Sequence, residues 1–409
     1  MAGEAARPGE AGDAIGGVIP RAVHAPASVA EAAEVLRSAA AARQRLAFLG
    51  GGTDLGTGAA PAALDAVVRT ARLARIVEYA PSDQSVVAEA GVTLAALQAA
   101  LGRERQRLAL DPPWPERATL GGVVAANAYG ALRTRYGSVR DLLIGATLVR
   151  AEGTVVKSGG KVVKNVAGFD VARLMVGSLG TLAMVAVANF RVHPLPEVVE
   201  TVVVPGLAPG AVWGLVRALR GARLEPAATA ALGAVARLDL GVRFEGFEKG
   251  VRDQAARAVE IAAAAGHDPV RGEAAAAFWG RHDARRRAGP VRLRVQAVPA
   301  ALEAVARTAL APLEALLADA GVVWYPALGT GFVSGAPAAP AELAGAVAGA
   351  RRALAAAGGT LTVAAAPADL APAPDPWGPQ PPAFALMRAL KERFDPERRL
   401  APGRFVGGL

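Results

Sequence analysis

The alternation of apolar and polar residues predicts short strands and helices over the first 195 residues. Ser28 followed by Glu31 predicts a capped helix over about 29–43, because these side chains can satisfy free N–H groups of the first helical turn. A second helix is predicted to begin at Thr93. Runs rich in valine, leucine and isoleucine predict a hairpin over 141–160 and strands at 45–49, 64–70, 75–80, 85–91 and 181–193.

Beyond Pro194 and Pro196 the pattern changes to strands that are separated by single helices. Proline interrupts helices and interior strands, so this pair predicts a domain boundary. The alternation fits a sheet with helices on one face, built as two ferredoxin-like halves. We therefore expect a disordered tail over 1–19, a first domain over 20–195 and a second domain over 196–366. Residues 367–409 would form a proline-rich connector that leads to a final helix and tail.

Composition excludes several classes of site. The 409 residues include no cysteine, so disulfides, cysteine-bound zinc and an iron–sulfur cluster held by this chain alone are excluded. No two of the four histidines share helix-face or short-loop spacing with a carboxylate, and no metal site is predicted. The net charge is +9, but the basic cluster at 285–287 lacks interleaved aromatic residues, so no nucleic-acid partner is predicted.

Membrane insertion and export are not expected. The longest uncharged apolar run, 174–190, is short for a membrane span and is interrupted by polar residues and glycine. The first residues lack the apolar centre of a signal peptide. We therefore expect a cytoplasmic protein, with at most a peripheral membrane association through partners.

Three glycine-bearing segments follow or precede predicted strands. Gly50, Gly51 and Gly52 end the strand 45–49, and glycines without side chains can leave backbone N–H groups open to an anion such as a pyrophosphate. Neither the P-loop nor the dinucleotide fingerprint fits this triplet, which by itself is equally compatible with a tight turn. Similar segments at 118–130 and 177–181 favour a long ligand that crosses several backbone turns, such as a dinucleotide.

Taken together, these motifs resemble the FAD-linked oxidase family, whose flavin domain is of the vanillyl-alcohol-oxidase (PCMH) type. The resemblance covers about 20–195 and the C-terminal tail, and within the family it is strongest to FAD-binding subunits of glycolate oxidases. It implies an α+β fold with a two-part PCMH-type FAD-binding domain and an α/β, ferredoxin-like second domain. The matching runs are FLGGGTDL, ATLGGVVAANAYG, RYGSVRDLLIGATLVRAEGTVVKSGG, KNVAGFDVARLMVGSLGTLAMV and FDPERRLAPGR.

The resemblance also implies which residues bind FAD. The pyrophosphate loop would be Gly50, Gly51, Gly52, Thr53 and Asp54, and the second segment would contribute Thr119, Gly121, Gly122, Asn127 and Gly130. Gly180, Thr181 and Val185 would meet the cofactor through their main chain, and the tail would bring Arg404 towards the flavin. The sequence departs from the residues usual in the family at Leu179, Ala183 and Ala401. At these three positions the side-chain contacts to the cofactor are expected to differ from those of the family.

Catalytic residues are harder to identify. Lysine is rare in this chain, yet Lys157, Lys161 and Lys164 fall within eight residues, which makes Lys164 and its neighbour Asn165 the candidates for a role near the flavin or a subunit contact. A salt-bridged loop explains the same cluster equally well.

The function that the resemblance implies is that of an FAD-binding subunit in a glycolate oxidase or dehydrogenase complex. It would oxidise a small 2-hydroxyacid (glycolate to glyoxylate), or relay its electrons, through non-covalent FAD, because no histidine or cysteine lies in the pyrophosphate loop to attach the flavin. The expected partners are a larger FAD-containing catalytic subunit and an iron–sulfur subunit. Two alternatives are a free-standing FAD-dependent oxidoreductase acting on another alcohol or hydroxyacid, and a non-catalytic assembly subunit.

Overall fold

The computed structural model describes residues 6–160, 169–371 and 373–409. The chain forms two units, the first from the residues up to Gly130 with 137–195 and 379–409, and the second from 131–136 and 196–378. The second unit therefore runs past the predicted limit at 366. Two contacts hold the connector to this unit: the Arg351 guanidinium donates a hydrogen bond of 2.6 Å to the carbonyl oxygen of Asp375, and the Val363 N–H donates one of 2.8 Å to the carbonyl oxygen of Pro376.

The first unit contains two sheets and a two-stranded ribbon, as the two-part prediction requires. The first sheet consists of β1 (Arg7–Pro8), β2 (Ala22–His24), β3 (Leu46–Leu49) and β4 (Ala66–Arg69). The remaining strands are β5 (Ile76–Ala80), β6 (Ser85–Glu89), β7 (Gln106–Arg107), β8 (Leu143–Val149), β9 (Val155–Gly159), β10 (Met184–Arg191) and β11 (His193–Pro194).

The two sheets differ in strand direction. The first has the order β1-β2-β4-β3, and β2, β4 and β3 run parallel. Ala66, Val67 and Val68 of β4 are fully buried, as expected for a parallel strand that is covered on both faces. The second sheet is antiparallel with the order β5-β6-β10-β8-β9, and β7 pairs with β11.

Helix α1 begins where the sequence predicts. The Ser28 hydroxyl accepts a hydrogen bond from the Glu31 N–H (3.1 Å), and the Glu31 carboxylate accepts one from the Ala27 N–H (2.9 Å).

Among the described residues, no helix is both long enough and apolar enough to cross a membrane. The helices are α1 (Val29–Ala41), α2 (Leu94–Gly102), α3 (Leu120–Ala126), α4 (Arg133–Tyr136), α5 (Val139–Leu142), α6 (Val171–Leu174), α7 (Pro209–Gly221), α8 (Glu248–Ala264), α9 (Glu273–Ala276), α10 (Phe278–Arg287), α11 (Leu302–Val305), α12 (Ala311–Glu314), α13 (Pro340–Ala355) and α14 (Phe384–Phe394).

The N-terminal segment corrects the prediction of a disordered tail over 1–19. Within 6–19, β1 pairs with β2, and a short 3₁₀ turn at Ala11–Asp13 follows. The Asp13 carboxylate is fully buried and forms ion pairs with Arg7 (2.8 Å) and Arg69 (2.6 Å). The composition of the segment could not reveal this order, because Arg69 lies 56 residues away in the sequence.

The second unit is built on one antiparallel sheet of eight strands. Its strands are β12 (Val198–Leu207), β13 (Ala228–Ala234), β14 (Arg237–Gly246), β15 (Val270–Arg271), β16 (Val291–Gln296), β17 (Leu317–Tyr325), β18 (Thr330–Pro337) and β19 (Thr360–Ala365). The first half has the order β15-β12-β14-β13, and the second half has the order β17-β18-β16-β19. Both orders are those of a split βαβ unit, which confirms the two ferredoxin-like halves.

Pairing of β13 with β17 joins the two halves, and helices α7, α8 and α13 contribute to their common core. The single helix predicted over 300–320 is instead α11 and α12 with a π-helical turn between them, and it ends at Glu314. The longer elements of this unit that escaped prediction are β18 and α10. β18 is rich in glycine and small residues, and half of the α10 residues are charged, so neither shows a clear apolar period.

A buried ion pair holds the C-terminal helix in the first unit. The Lys391 ammonium donates hydrogen bonds to the Asp395 carboxylate (2.7 Å) and to the carbonyl oxygens of Thr181 (2.8 Å) and Leu400 (2.9 Å). The two charged side chains are at most 1% exposed. Burial lowers the pKa of Lys391, and the neighbouring Asp395 opposes that shift. This one ammonium therefore connects α14, the tail and the segment before β10.

Replacing Lys391 with methionine should destabilise the first unit by about 3–5 kcal/mol, because the Asp395 carboxylate would remain buried without its cation. Urea denaturation of the cofactor-free chain measures this loss. Arg388→Met on the same helix is the control, since Arg388 is exposed, and it should change the unfolding free energy by less than about 0.5 kcal/mol. Equal effects of the two substitutions would show that the buried pair has no special role.

Candidate functional site

The first glycine segment lies directly against the second. A Cβ atom on Gly51 would be 1.7 Å from the carbonyl oxygen of Arg117, and one on Gly50 would be 2.1 Å from the Thr119 hydroxyl oxygen. Both distances are impossible, so glycine is required at both positions for the two segments to touch. Gly52 differs, because its φ of +73° requires glycine for a turn.

The second glycine segment is a helix and not the loop that the sequence suggested. Thr119 is the N-cap of α3, and Gly121 and Gly122 lie in its first turn. The Gly121 N–H donates a hydrogen bond of 2.8 Å to the carbonyl oxygen of Ala90, which follows β6. A Cβ atom on Gly121 would be 2.8 Å from the Ala90 Cβ atom, so this glycine allows α3 to approach the second sheet closely.

The third segment completes the convergence. Leu179 and Gly180 both have positive φ (52° and 73°), and the Leu179 N–H donates to the carbonyl oxygen of Ala125 at the end of α3 (2.9 Å). A Cβ atom on Gly180 would lie 2.9 Å from the Phe48 ring, so this turn also contacts β3. All three segments therefore meet around one cleft.

Two adjoining cavities make up this cleft, and their linings share Phe48, Gly50, Gly122, Ala125 and Leu179. One is otherwise lined by Ile15, Ala47, Gly51, Gly52, Thr53, Asp54, Leu55, Thr119, Ala126, Ala401 and Arg404. The other is otherwise lined by Thr70, Gly121, Gly180, Ala183, Met184 and Val185. Most of the predicted FAD-binding residues thus lie together.

Polar groups of the cleft are left without partners. The hydroxyl oxygens of Thr70 and Thr119 are buried and form no hydrogen bond within the described residues. Among the described residues, no backbone acceptor is found for the N–H groups of the half-buried residues Gly51, Gly52 and Thr53. Buried hydroxyls are normally hydrogen-bonded, so the two threonines, together with these N–H groups, are suited to an anionic ligand such as the diphosphate of FAD.

Arg404 reinforces the loop that follows the glycines. Its guanidinium donates hydrogen bonds to the carbonyl oxygens of Leu55 (3.1 Å), Thr57 (2.7 Å) and Ala59 (3.3 Å). Burial lowers the pKa of Arg404 to about 10, so it remains a cation at neutral pH. Arg404 therefore brings a positive charge to the cleft and holds the loop in place.

Other predicted residues are placed differently. Gly130 lines neither cavity, and a Cβ atom there would be 2.3 Å from the carbonyl oxygen of Asp111. Asn127 also lies outside both linings, and its αL conformation (φ 49°) ends α3. Thr181 lines neither cavity, its hydroxyl donates to the carbonyl oxygen of Ser178 (2.8 Å), and its own carbonyl oxygen accepts from Lys391 (2.8 Å). The catalytic candidates Lys164 and Asn165 fall outside the described residues.

Sequence reasoning missed Thr70, Phe48 and Ile15, which line the cleft. Thr70 offered a usable signal, because it is the last residue of a predicted strand and polar groups at strand ends often form sites. Phe48 and Ile15 are apolar and gave no signal of their own.

The second unit has a separate cavity of about 700 Å³ in which Arg281 forms an ion pair with Asp239 and Arg285 donates to the carbonyl oxygen of Asp319. His282, on the same helix, is buried with its ring nitrogens 2.9 Å from the Asp283 carboxylate and 3.1 Å from the Tyr325 hydroxyl. Burial lowers the pKa of His282. These groups form a structural network that is distinct from the glycine cleft.

Comparison with known proteins implies a cofactor for the domain that contains the cleft. Residues 20–159 match a family described as an FAD binding domain. The chain is 41% identical to glycolate oxidase subunit GlcE of Escherichia coli over 123 residues, which are 30% of this chain and 35% of that protein. It is 33% identical to D-lactate dehydrogenase of Archaeoglobus fulgidus over 181 residues, which are 44% of this chain and 40% of that protein.

A third relative, glycolate oxidase subunit GlcD of Bacillus subtilis, is 32% identical over 45% of this chain and 39% of its own length. The chain thus spans well under half the length of these curated relatives. Among solved structures, p-cresol methylhydroxylase with substrate bound has a TM-score of 0.75 at 15% identity, over 95% of this chain and 89% of that one. Alkyldihydroxyacetonephosphate synthase has a TM-score of 0.72 at 16% identity, over 94% of this chain and 76% of that one.

The solved structures show the class of fold, that of p-cresol methylhydroxylase and alkyldihydroxyacetonephosphate synthase, here with a two-part first unit and a ferredoxin-like second unit. The predicted resemblance to FAD-linked oxidases of the PCMH type is confirmed. Residues 20–159 carry the match to the FAD binding domain, and FAD is the cofactor that this match implies.

Replacing Thr119 with valine should weaken FAD binding about two- to twelvefold, because a hydrogen bond contributes roughly 0.5–1.5 kcal/mol. The same substitution should leave the cofactor-free chain as stable as before, since it removes a buried hydroxyl that has no partner in the described residues. Titration of the apoprotein with FAD and urea denaturation measure the two effects. Thr181→Val is the matched control, with about 1 kcal/mol lower stability and unchanged FAD affinity. An unchanged FAD affinity of the Thr119 variant would show that this hydroxyl does not bind the cofactor.

Proposed function

We propose that this chain is the FAD-binding subunit of a complex that oxidises a small 2-hydroxyacid, with glycolate as the first candidate substrate. The observation that carries the proposal is the glycine cleft with its unpartnered donors, which lies in the domain that matches FAD-binding proteins. The relatives support the coarser class of FAD-dependent oxidoreductases acting on 2-hydroxyacids, since they are named as glycolate oxidase subunits and a D-lactate dehydrogenase.

FAD, when bound, accepts the electrons of the oxidised substrate. The residues of this chain would hold it. The N–H groups of Gly51, Gly52 and Thr53, together with the Thr119 hydroxyl, would donate hydrogen bonds to the diphosphate. Gly121, Gly122, Gly180 and Val185 would let the cofactor approach the main chain closely. Lys164 and Asn165 remain the candidates for a role near the flavin or at a subunit contact.

A subunit role is supported by similarity to GlcE, which is itself named as a subunit of glycolate oxidase. The proposed partners are a larger FAD-containing catalytic subunit and an iron–sulfur subunit, because this chain has no cysteine with which to hold a cluster. FAD would be bound non-covalently, since the pyrophosphate loop offers neither histidine nor cysteine for a covalent link.

Absorbance of the purified chain tests this function. The isolated chain should show a flavin spectrum, and acid precipitation should release all of the flavin into the supernatant. A tagged chain isolated with its partners should reduce a dye when glycolate is added, whereas the same tagged chain stripped of partners should be markedly slower. D-lactate serves as the parallel substrate.

Other outcomes would favour the two alternatives. Full activity of the isolated chain on another alcohol or hydroxyacid would indicate a free-standing oxidoreductase. A colourless chain that does not take up added FAD would indicate a non-catalytic assembly subunit.

A further inference from the structure

The N-terminal segment forms part of the cleft that holds the unpartnered donors. Ile15 is 1% exposed and lines the same cavity as the pyrophosphate loop and Arg404. Its neighbour Gly16 has a φ of +58°, and a Cβ atom there would be 2.6 Å from the Ala60 Cα atom. The segment is therefore in direct contact with the chain that follows the glycines.

Apolar packing places Ile15 against the strands that carry the cleft. Ile15 belongs to a buried cluster whose other members come from β3, β4, the loop between them and the tail, namely Ala47, Leu49, Leu64, Val67 and Ala401. β3 leads into Gly50, and β4 leads into Thr70. The segment thus rests on the two strands whose ends supply the polar groups of the cleft.

A single carboxylate holds the segment in this position. Asp13 accepts two hydrogen bonds from the Arg7 guanidinium (2.8 and 2.9 Å), one from Arg69 Nε (2.6 Å) and one from the Glu10 N–H (3.0 Å). Arg69 also donates to the carbonyl oxygen of Gly12 (2.7 Å). The hydrogen bonds from Arg7 are the main reason that the pKa of Asp13 lies well below its ordinary value.

We propose that residues 7–19 form one wall of the FAD cleft and that Asp13, clasped between Arg7 and Arg69, is the positioning residue that keeps this wall in place. Arg69 is the last residue of β4 and directly precedes Thr70, so the ion pair of Asp13 with Arg69 and the cleft share one strand end. Loss of the ion pairs of Asp13 would free Ile15 from the cleft. The proposal rests on the FAD site described above.

Binding of FAD and ordering of the wall must then be coupled. If the cofactor contacts the wall, FAD stabilises the ordered segment, and by linkage the ordered segment raises the affinity for FAD by the same factor. Four N–H groups report on this order, because those of Asp13 and Ala14 donate to the carbonyl oxygens of Glu10 and Ala11, and those of Ile15 and Val18 donate to each other's carbonyl oxygens. Their hydrogen exchange is a readout that does not depend on activity.

Hydrogen exchange of the full-length chain with and without FAD tests the proposal. In the wild type, FAD should slow exchange across 13–18 at least fivefold. Asp13→Asn should speed exchange of this segment at least tenfold without FAD and weaken FAD binding five- to tenfold. Exchange in β6 and β10 of the second sheet should stay the same, which would show that the domain remains folded.

Asp65→Asn is the matched control. Asp65 also pairs with an arginine, Arg45 (2.9 Å), but it lies at the opposite end of β4 from Arg69. This substitution should leave both the FAD affinity and the exchange of 13–18 within twofold of the wild type.

Two results would overturn the proposal. One is a wild-type segment whose exchange does not respond to FAD, and this measurement needs no variant to fold. The other is an Asp13→Asn chain with a loosened segment and an FAD affinity within twofold of the wild type. Absence of FAD binding to the wild type would instead contradict the FAD site itself, so the two failures can be told apart.

Discussion

The contact between the first glycine segment and the start of α3 is the constraint on which the flavin-domain cleft depends. Gly50 and Gly51 meet Thr119 and Arg117 at distances that exclude any side chain. This contact joins the end of a parallel strand in one sheet to a helix that begins against the second sheet. Without it, the two sheets would offer separate strand ends and no common cleft.

The same contact changes the physical meaning of the glycines. The sequence suggested that side chains are absent so that a ligand can touch the backbone. In the structure, Gly50, Gly51 and Gly121 are required mainly because one part of the chain touches another. The same packing leaves N–H groups available to a ligand. Those of Gly51, Gly52 and Thr53 have no backbone acceptor in the described part of the chain.

Local signals predicted the elements well where they acted over a few residues. The Ser28 cap, the hairpin of β8 and β9, and the two ferredoxin-like halves follow from capping, turn chemistry and periodicity, which depend on neighbours in sequence. Elements without an apolar period, such as α10 and β18, were missed. The ordered N-terminal segment was missed as well, because its stability comes from Arg69 and from strands far along the chain.

The sequence by itself determined the class of fold and the chemistry of the cleft, because glycine spacing, strand patterning and the lack of cysteine are properties of the chain alone. Only the tertiary structure decided which groups share the cleft. Thr70, Thr119, Arg404 and Ile15 lie far apart in sequence, and packing of strands, helix and both terminal segments brings them together. Close packing distances depend on the three-dimensional path of the backbone, which no local pattern of residues specifies.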